Sequence, residues 1–170
     1  MVSYIYKVII TTETPFNIST GVKNNSFIKD MSVRDMNGKP YIPGSTIKGE
    51  MRANFNKLNG EEKTKELFGD KFNKASKVIV DNFYVYEDRY ETSIRYGNAI
   101  DRFRRVAKEK ALFSKEVVSG TFIGEIEVLF DEKEIDKDDI YLAIKMITAI
   151  GGSKSSGLGR INIDIEEVKL

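Results

Sequence analysis

Two segments of the chain combine glycine, serine and lysine in the way that phosphate-binding loops do. The first, residues 43–52, reads PGSTIKGEMR and stands where the sequence predicts the start of a helix. Backbone N–H groups at a helix N-terminus attract anions, and nearby hydroxyl groups and cations strengthen that attraction. The candidate phosphate contacts in this segment are Gly44, Ser45, Thr46, Lys48 and Arg52. The same residues also fit a helix that is capped by Ser45 and carries solvated charges, so that alternative stays open.

The second segment, residues 151–160, reads GGSKSSGLGR. Its glycines let the backbone approach a ligand closely and point several N–H groups in one direction. The candidate phosphate contacts here are Gly151, Gly152, Ser153, Lys154, Ser155 and Arg160. Neither segment is a nucleotide-binding loop of a familiar type, because a P-loop needs lysine where Glu50 stands and a dinucleotide loop needs a third glycine after Gly157 and Gly159. A plain helix-to-strand connection remains the alternative.

The residue types that the chain lacks restrict its chemistry. Its 170 residues include no cysteine, histidine or tryptophan, which excludes disulfides, zinc sites with thiolate or imidazole ligands, and acid–base catalysis by histidine. The formal net charge is only +1, which is low for a protein that holds nucleic acid by bulk charge. Charge is segregated instead: residues 89–110 are mainly basic and residues 125–139 mainly acidic, which suits head-to-tail contact between copies. No membrane segment or export signal is expected, and the sequence predicts a cytoplasmic protein.

Hydrophobic periodicity predicts the elements that must position the two segments. Strands are expected at 4–12, 77–87, 116–130 and 158–168, and helices at 45–58, 61–68 and 137–150. The order strand, helix, strand, strand, helix, strand predicts an α+β, ferredoxin-like (RRM-like) βαββαβ domain over residues 1–170. Two stretches show no firm period. Residues 16–41 are predicted to form a long loop, and residues 88–113 a basic loop or arm that projects from the core.

Several motifs, read in order, resemble one protein family. They are DMSVRD at 30–35, GKPYIPGSTIKG at 38–49 followed by Arg52, LFG at 67–69, IDR at 100–102, residues 116–122, and the glycine-rich segment 151–160. In this set and order the sequence resembles the RAMP superfamily of CRISPR-associated proteins, and within it the repeated backbone subunits of type III (Csm- or Cmr-like) complexes. The resemblance implies a ferredoxin-like core that assembles in copies along a CRISPR RNA, joins other subunits of the complex, and cuts complementary target RNA.

The resemblance also implies a catalytic residue, because family members cut RNA with a metal-dependent aspartate in the loop before the PGS segment. Asp30 matches that aspartate and is the expected ligand of a divalent ion, Mg²⁺ or Mn²⁺. An ordinary carboxylate is a weak base at neutral pH, so a metal role suits it better than a base role. Such an ion would stabilise the transition state while a ribose 2′-hydroxyl attacks the adjacent phosphorus. Asp30 also fits a plain turn residue, as does Asp35, which precedes Met36-Asn37-Gly38.

Further RNA contacts are implied by the same resemblance. The basic arm matches the family's thumb, which wedges into the duplex of guide and target. Its arginines would pair with phosphates while Tyr96, Ile100 or Phe103 stacks on a displaced base. The expected contacts outside the two glycine-rich segments are Asn17, which replaces a frequent histidine, Arg34 of the DMSVRD motif, and Arg102, Arg104 and Arg105 of the arm. A solvated charged loop is the alternative for the arm.

Three other functions stay open at the level of the sequence. The chain could be a structural RNA-binding subunit without catalysis, a solitary RAMP nuclease that processes precursor CRISPR RNA, or an unrelated ferredoxin-like module for a small phosphorylated ligand. The absence of histidine and the presence of a thumb-like arm count against the solitary nuclease.

Overall fold

The computed structural model describes residues 2–21, 28, 30–72, 74–101 and 103–169, and for 98–101 and 107–112 only the backbone. Arg102, an expected RNA contact, lies outside these residues. The strands are β1 (Val2–Thr12), β2 (Tyr41–Ile42), β3 (Val78–Val80), β4 (Phe83–Asp101), β5 (Val106–Phe130) and β6 (Ile161–Lys169). The helices are α1 (Gly44–Phe68) and α2 (Lys137–Lys145). In this part of the chain, neither helix has the length and apolar character that a membrane crossing requires.

The strands form one antiparallel sheet with β1 and β5 side by side at its centre. Its order is β2-β4-β5-β1-β6, and β3 pairs with β5 beyond the start of β4. β1 and β5 pair from Val2↔Phe130 to Thr11↔Thr121. With β3 and β4 sharing one position in the sheet, and with one helix before them and one after β5, this is the ferredoxin-like arrangement. The α+β prediction is confirmed.

Alternate residues of β1 and one face of each helix form the core. The inward side chains of β1 are buried, namely Tyr4, Tyr6, Val8 and Ile10. The predicted apolar face of α1 joins the same cluster through Ile47, Met51 and Phe55, and α2 joins it through Ile140, Ala143 and Ile144. Each such burial of an aliphatic or aromatic side chain stabilises the fold by about 1.5–3 kcal/mol. Both helices therefore lie on one face of the sheet, and the other face is open.

Helix α1 begins at Gly44, where it approaches the backbone after β3 closely. A Cβ on Gly44 would lie 2.3 Å from Val80 O, and Gly44 N donates to Asn82 Oδ1 at 2.9 Å. The N-cap residue is Pro43, which makes no side-chain cap hydrogen bond. The predicted Ser45 cap is therefore wrong, because the helix starts one residue earlier and places Ser45 inside its first turn.

The basic arm is a β-hairpin and not the loop that the sequence predicts. β4 and β5 pair along it from Tyr90↔Gly120 outward. A two-stranded ribbon that leaves the core has no buried face, so its side chains lack the apolar alternation that identifies a strand. The hairpin departs from the sheet after Val85, where the register shifts and where Glu87 and Asp88 have left-handed φ values of 51° and 54°.

One boundary agrees with the prediction: Gly60 has a φ of 80° and a non-helical conformation inside α1, so the break expected between the helices at 45–58 and 61–68 is confirmed. Other boundaries differ from the prediction. α2 ends before residue 150, because Ile150 is buried in an extended connection where its N–H donates to Gly159 O at 2.9 Å. β6 begins after the predicted 158, and the strand predicted at 77–87 is divided between β3 and β4.

Candidate functional site

Two loops from the first part of the chain are attached to β5 at the base of the hairpin. The loop that follows β1 is held where Phe16 and Val118 exchange two backbone hydrogen bonds of 2.8 Å each. The DMSVRD loop is held two residues earlier on β5, where Glu116 N donates to Asp30 O at 2.8 Å. The long loop predicted at 16–41 thus has two attachments to β5 within its described residues.

The attachments converge on Glu116. Only 7% of this residue is exposed, and its carboxylate accepts hydrogen bonds from Ser32 N at 3.1 Å and from the Arg34 guanidinium. Its carbonyl oxygen accepts from Asn17 Nδ2 at 2.8 Å and from Ser32 Oγ at 3.2 Å. Arg34 also donates from Nη1 to Gly38 O at 2.7 Å. Asn17 and Arg34, both expected RNA contacts, therefore bond to the protein at this point, and their RNA contacts stay predictions.

Asp30 combines a partly buried carboxylate with an unsatisfied oxygen. Its Oδ1 is buried and has no hydrogen-bond partner within the described part of the chain. Such an acceptor costs about 1–3 kcal/mol when it is left unsatisfied, and more when it is charged. Mg²⁺ is often held by one or two carboxylates, with phosphate oxygens and water as the other ligands. Asp30 fits the single protein ligand of such an ion, and the described residues contain no cluster of three acidic side chains that would hold a metal alone.

The glycine-rich loop lies against the same residues. Gly151 has a φ of 75°, and a Cβ there would lie 2.4 Å from Asn17 O. Gly152 N donates to that carbonyl at 3.0 Å, so the loop and Asn17 are in direct contact. Ser153 Oγ accepts from Lys115 Nζ at 2.8 Å. Because Lys115 also forms a parallel bridge with the aspartate described above, the glycine-rich loop and that aspartate are joined through one residue.

The other predicted members of the loop lie on its outer side. Lys154 and Ser155 are exposed in a short 3-10 helix, and Lys154 forms a salt bridge with Glu50 of α1. Arg160 is exposed, and its N–H donates to Thr14 Oγ1 at 2.9 Å. Since Glu50 belongs to residues 43–52, the salt bridge joins the two segments.

The cations of the first segment contact a different part of the chain. Lys48 Nζ donates to Val78 O at 2.7 Å, and Arg52 Nη2 donates to Gly69 O at 3.2 Å. Burial, and after it the charge of Arg52, lower the pKa of Lys48. Both side chains hold α1 to the connection that leads into β3, so their RNA contacts stay predictions. The other predicted members are the buried Gly44, the exposed Ser45 and the half-buried Thr46.

The outer part of the hairpin presents cations and aromatic rings. Arg104 and Arg105 lie in its turn and are exposed, and Phe103 beside them is 97% exposed. Tyr96, nearer the base on β4, is 51% exposed. Aromatic rings of this kind stack on bases, and arginines pair with phosphates. The hairpin therefore has the residue types of a nucleic-acid wedge.

A second aromatic contact lies where the hairpin meets the loops. Phe113 covers Gly97 so closely that a Cβ on the glycine would lie 2.3 Å from the ring. Lys115 Nζ lies 5.5 Å from the centre of the same ring, within cation–π range. Lys115 thus contacts Phe113 of the hairpin, forms the β-bridge with Asp30 and donates to the glycine-rich loop.

The open face of the sheet differs from the RNA-binding face of an RRM. RRM sheets stack bases on aromatic side chains of their central strands. On this face β1 carries Ile5, Lys7 and Ile9, and the β5 residues opposite them are Glu127, Glu125 and Ile123. None of these side chains is aromatic, and all but Lys7 are aliphatic or acidic, so the loops and the hairpin are the better candidate interface.

The sequence did not predict the roles of Glu116 and Lys115, to which the loops are attached. One signal was present, because Val118 and Phe122 face inward and period-two alternation puts Glu116 on the same side of β5. A carboxylate at an inward position needs a hydrogen-bonding or charged partner. Its partners lie in the DMSVRD loop, 84 and 82 residues away in sequence, and spacing alone does not connect positions so far apart.

Comparisons with known proteins agree with this architecture. A family model described as the RAMP superfamily matches residues 9–162. A chain in the cryo-EM structure of the Type III-B Cmr-beta bound to cognate target RNA superposes with a TM-score of 0.77 at 20% identity, covering 99% of this chain and 61% of that one. This chain therefore spans less than two thirds of that chain's length. A chain of the Type III-B Cmr-beta in the apo state gives a TM-score of 0.71 at 13% identity, covering 95% of this chain and 96% of that one. No curated protein matches by sequence.

Proposed function

The chain belongs to the RAMP superfamily, and on that premise we propose that it is a CRISPR-RNA-binding backbone subunit of a type III antiviral defence complex. In this function it binds the CRISPR RNA beside further copies of itself and other subunits, and it contacts complementary target RNA. The proposal is supported by the family, by a fold shared with chains of the Type III-B Cmr-beta, and by the basic hairpin that projects from the sheet.

The observation that carries the proposal is the convergence of the Asp30 loop and the glycine-rich loop on β5, at the base of the hairpin. A net charge of +1 gives little attraction at a distance, so RNA has to be held by local groups. The glycine-rich loop brings the exposed Lys154 and Arg160 to this point, and the hairpin adds Arg104 and Arg105. The sugar-phosphate backbone would lie across these groups and pass Asp30.

We infer further that the subunit is a metal-dependent endoribonuclease centred on Asp30. Asp30, whose Oδ1 lacks a protein partner among the described residues, would hold Mg²⁺ or Mn²⁺ together with phosphate oxygens of the target. The ion supplies stabilisation of the charge that develops on the scissile phosphate. The ribose 2′-oxygen forms a bond to the adjacent phosphorus, and the bond from that phosphorus to the 5′-oxygen breaks. The 2′-hydroxyl proton would pass to water and the leaving oxygen would take a proton from water, and no histidine is available for either transfer.

A second candidate function is an RNA-binding subunit that does not cut. It is favoured by the bonding of Glu116, because this carboxylate, which is attached to the same loop as Asp30, is already committed to Ser32 and Arg34. A metal ion would then have to be held by Asp30 without help from Glu116. Activity of the assembled complex separates the two functions.

The decisive experiment compares Asp30→Asn with Asp35→Asn in the assembled complex. Asp35 lies in the same loop, and its Oδ1 accepts from Asn37 N at 2.8 Å and from Lys39 N at 2.9 Å, which the amide oxygen of asparagine can still do. Labelled complementary RNA is incubated with each complex in Mg²⁺ or Mn²⁺. We expect Asp30→Asn to bind the RNA and leave it intact, and Asp35→Asn to cut it into fragments ending in 2′,3′-cyclic phosphate.

Cutting at the wild-type rate by Asp30→Asn would contradict the catalytic assignment and favour the second candidate function, with the nuclease in another subunit. Loss of RNA binding together with cutting would make Asp30 a structural residue.

A further inference from the structure

We propose that Glu116 is the positioning residue of the site, and that its charged carboxylate fixes the backbone around Asp30. The claim that this serves catalysis rests on the proposed function of Asp30, whereas the claim that Glu116 fixes the loop does not. Glu116 is distinct from the residues expected to touch RNA, because it is negatively charged and almost fully buried.

Glu116 holds the loop on both sides of Met31. Glu116 N donates to Asp30 O, and the Glu116 carboxylate accepts from Ser32 N at 3.1 Å. The same residue therefore fixes the peptide groups that leave Asp30 and enter Ser32. Asp30 therefore lies directly before a stretch of backbone that is fixed at two successive peptide groups.

The negative charge of Glu116 also holds the side chain of Arg34. The Arg34 guanidinium donates to Glu116 and, from Nη1, to Gly38 O, so the ion pair extends the anchored stretch toward the turn before β2. The Arg34 side chain is 30% exposed and that of Glu116 is 9% exposed, so water screens this pair only partly. Without the carboxylate, Arg34 would lose its counter-charge and Ser32 N its acceptor, while Ser32 Oγ would keep its bond to the Glu116 carbonyl oxygen.

The position of Asp30, which Glu116 helps to fix, should affect the rate of cleavage. A misplacement of a reacting group by about 1 Å can cost about 100-fold in rate without affecting ground-state binding. The glycine-rich loop is attached through Asn17 and Lys115, by bonds to the Glu116 carbonyl oxygen and to Ser153 Oγ, and these do not need the Glu116 side chain. Loss of the Glu116 carboxylate should therefore loosen the backbone that follows Asp30, at Ser32 and Arg34, and leave the glycine-rich loop in place.

The test uses Glu116→Gln, which keeps the size of the side chain and removes its charge. Glu127→Gln is the matched control, because Glu127 is on the same strand and its carboxylate accepts from Ser3 Oγ at 3.0 Å on the open face. For each assembled complex, target-RNA affinity and the single-turnover cleavage rate at saturating RNA are measured separately. We expect Glu116→Gln to keep wild-type affinity and to lose about 100-fold in rate, while Glu127→Gln keeps both.

Cleavage by Glu116→Gln at the wild-type rate would overturn the proposal, and so would a loss of affinity as large as the loss of rate, which indicates a scaffold role only. Asp30→Asn is measured in parallel. If it cuts normally, the proposed function of Asp30 fails, and hydrogen exchange of the full chain then decides the loop-holding claim. Faster exchange at residues 30–38 in Glu116→Gln than in Glu127→Gln supports it, and equal exchange refutes it.

Discussion

Replacing Gly151 with alanine tests whether the glycine-rich loop is held in place by its contact with Asn17. The change adds one methyl group at a position with φ 75°, and that methyl would lie 2.4 Å from Asn17 O, where ordinary contacts lie at 3.4 Å or more. Gly157 supplies a matched control in the same loop, because its φ is 82° and no atom lies within 4 Å of the added methyl. The two variants share the backbone strain and differ in the clash.

The magnitude follows from the bonds that the clash disrupts. A non-glycine residue in the left-handed region costs about 1–2 kcal/mol, and this is the whole effect expected for Gly157→Ala. In Gly151→Ala the Asn17 carbonyl must move as well, which breaks its bond from Gly152 N and strains the bond from Asn17 Nδ2 to Glu116 O. Each is worth about 0.5–1.5 kcal/mol. Gly151→Ala should therefore lower the free energy of unfolding by about 1–3 kcal/mol more than Gly157→Ala.

Thermal unfolding of the full chain measures this difference. For a protein of this size 1 kcal/mol shifts Tm by about 2–4 °C, so Gly151→Ala should melt clearly below Gly157→Ala. In the assembled complex Gly151→Ala should also weaken RNA binding more, because the loop can no longer lie against Asn17. Equal Tm values for the two variants would refute the claim that the close approach fixes the loop.

Two further predictions concern the RNA contacts themselves. Lys154→Ala combined with Arg160→Ala should weaken RNA binding in a largely sequence-independent way, and the slope of log affinity against log salt should fall by about 0.7 for each phosphate that the variant no longer neutralises. Binding titrations of the assembled complex at several salt concentrations measure this, and an unchanged slope would mean that neither side chain contacts phosphate. Phe103→Ala should weaken target binding by about 1–3 kcal/mol if the ring stacks on a base. Phe72→Ala is its control, since Phe72 is 88% exposed outside the hairpin, and equal affinities of the two variants would exclude stacking by Phe103.

The order of the elements could be predicted wherever one face of an element is buried. The alternate burial along β1 and the buried face of α1 at Ile47, Met51 and Phe55 both follow this rule, although Leu58, which continues the spacing of that face, is 38% exposed. The same rule explains the errors. The basic arm at 88–113 shows no period, and none of its side chains that the structure describes is buried. Ile147 and Ile150, by contrast, continue the helical spacing of α2 because they are buried in the connection after it.

The site was only partly predictable for a related reason. Composition indicated the two segments as candidate phosphate contacts, but it could not show what their side chains contact. Lys48 and Arg52 were predicted to contact phosphate, yet the fold reveals that they donate to the carbonyl groups of Val78 and Gly69. Glu116 joins the loops, and its partners are far away in sequence. A local sequence pattern cannot predict contacts over that separation.

The placement of the cations suggests why such a subunit would act in many copies. Among the cations predicted to bind RNA, Arg34, Lys48 and Arg52 donate to groups of the protein, and Lys154 is paired with Glu50. The other predicted cations of the described chain, Arg104, Arg105 and Arg160, are exposed. One copy therefore offers few phosphate contacts, and its hold on RNA should be weak and sensitive to salt. Copies that share one RNA add their contacts at high effective concentration, so stable binding by this nearly neutral chain should depend on assembly.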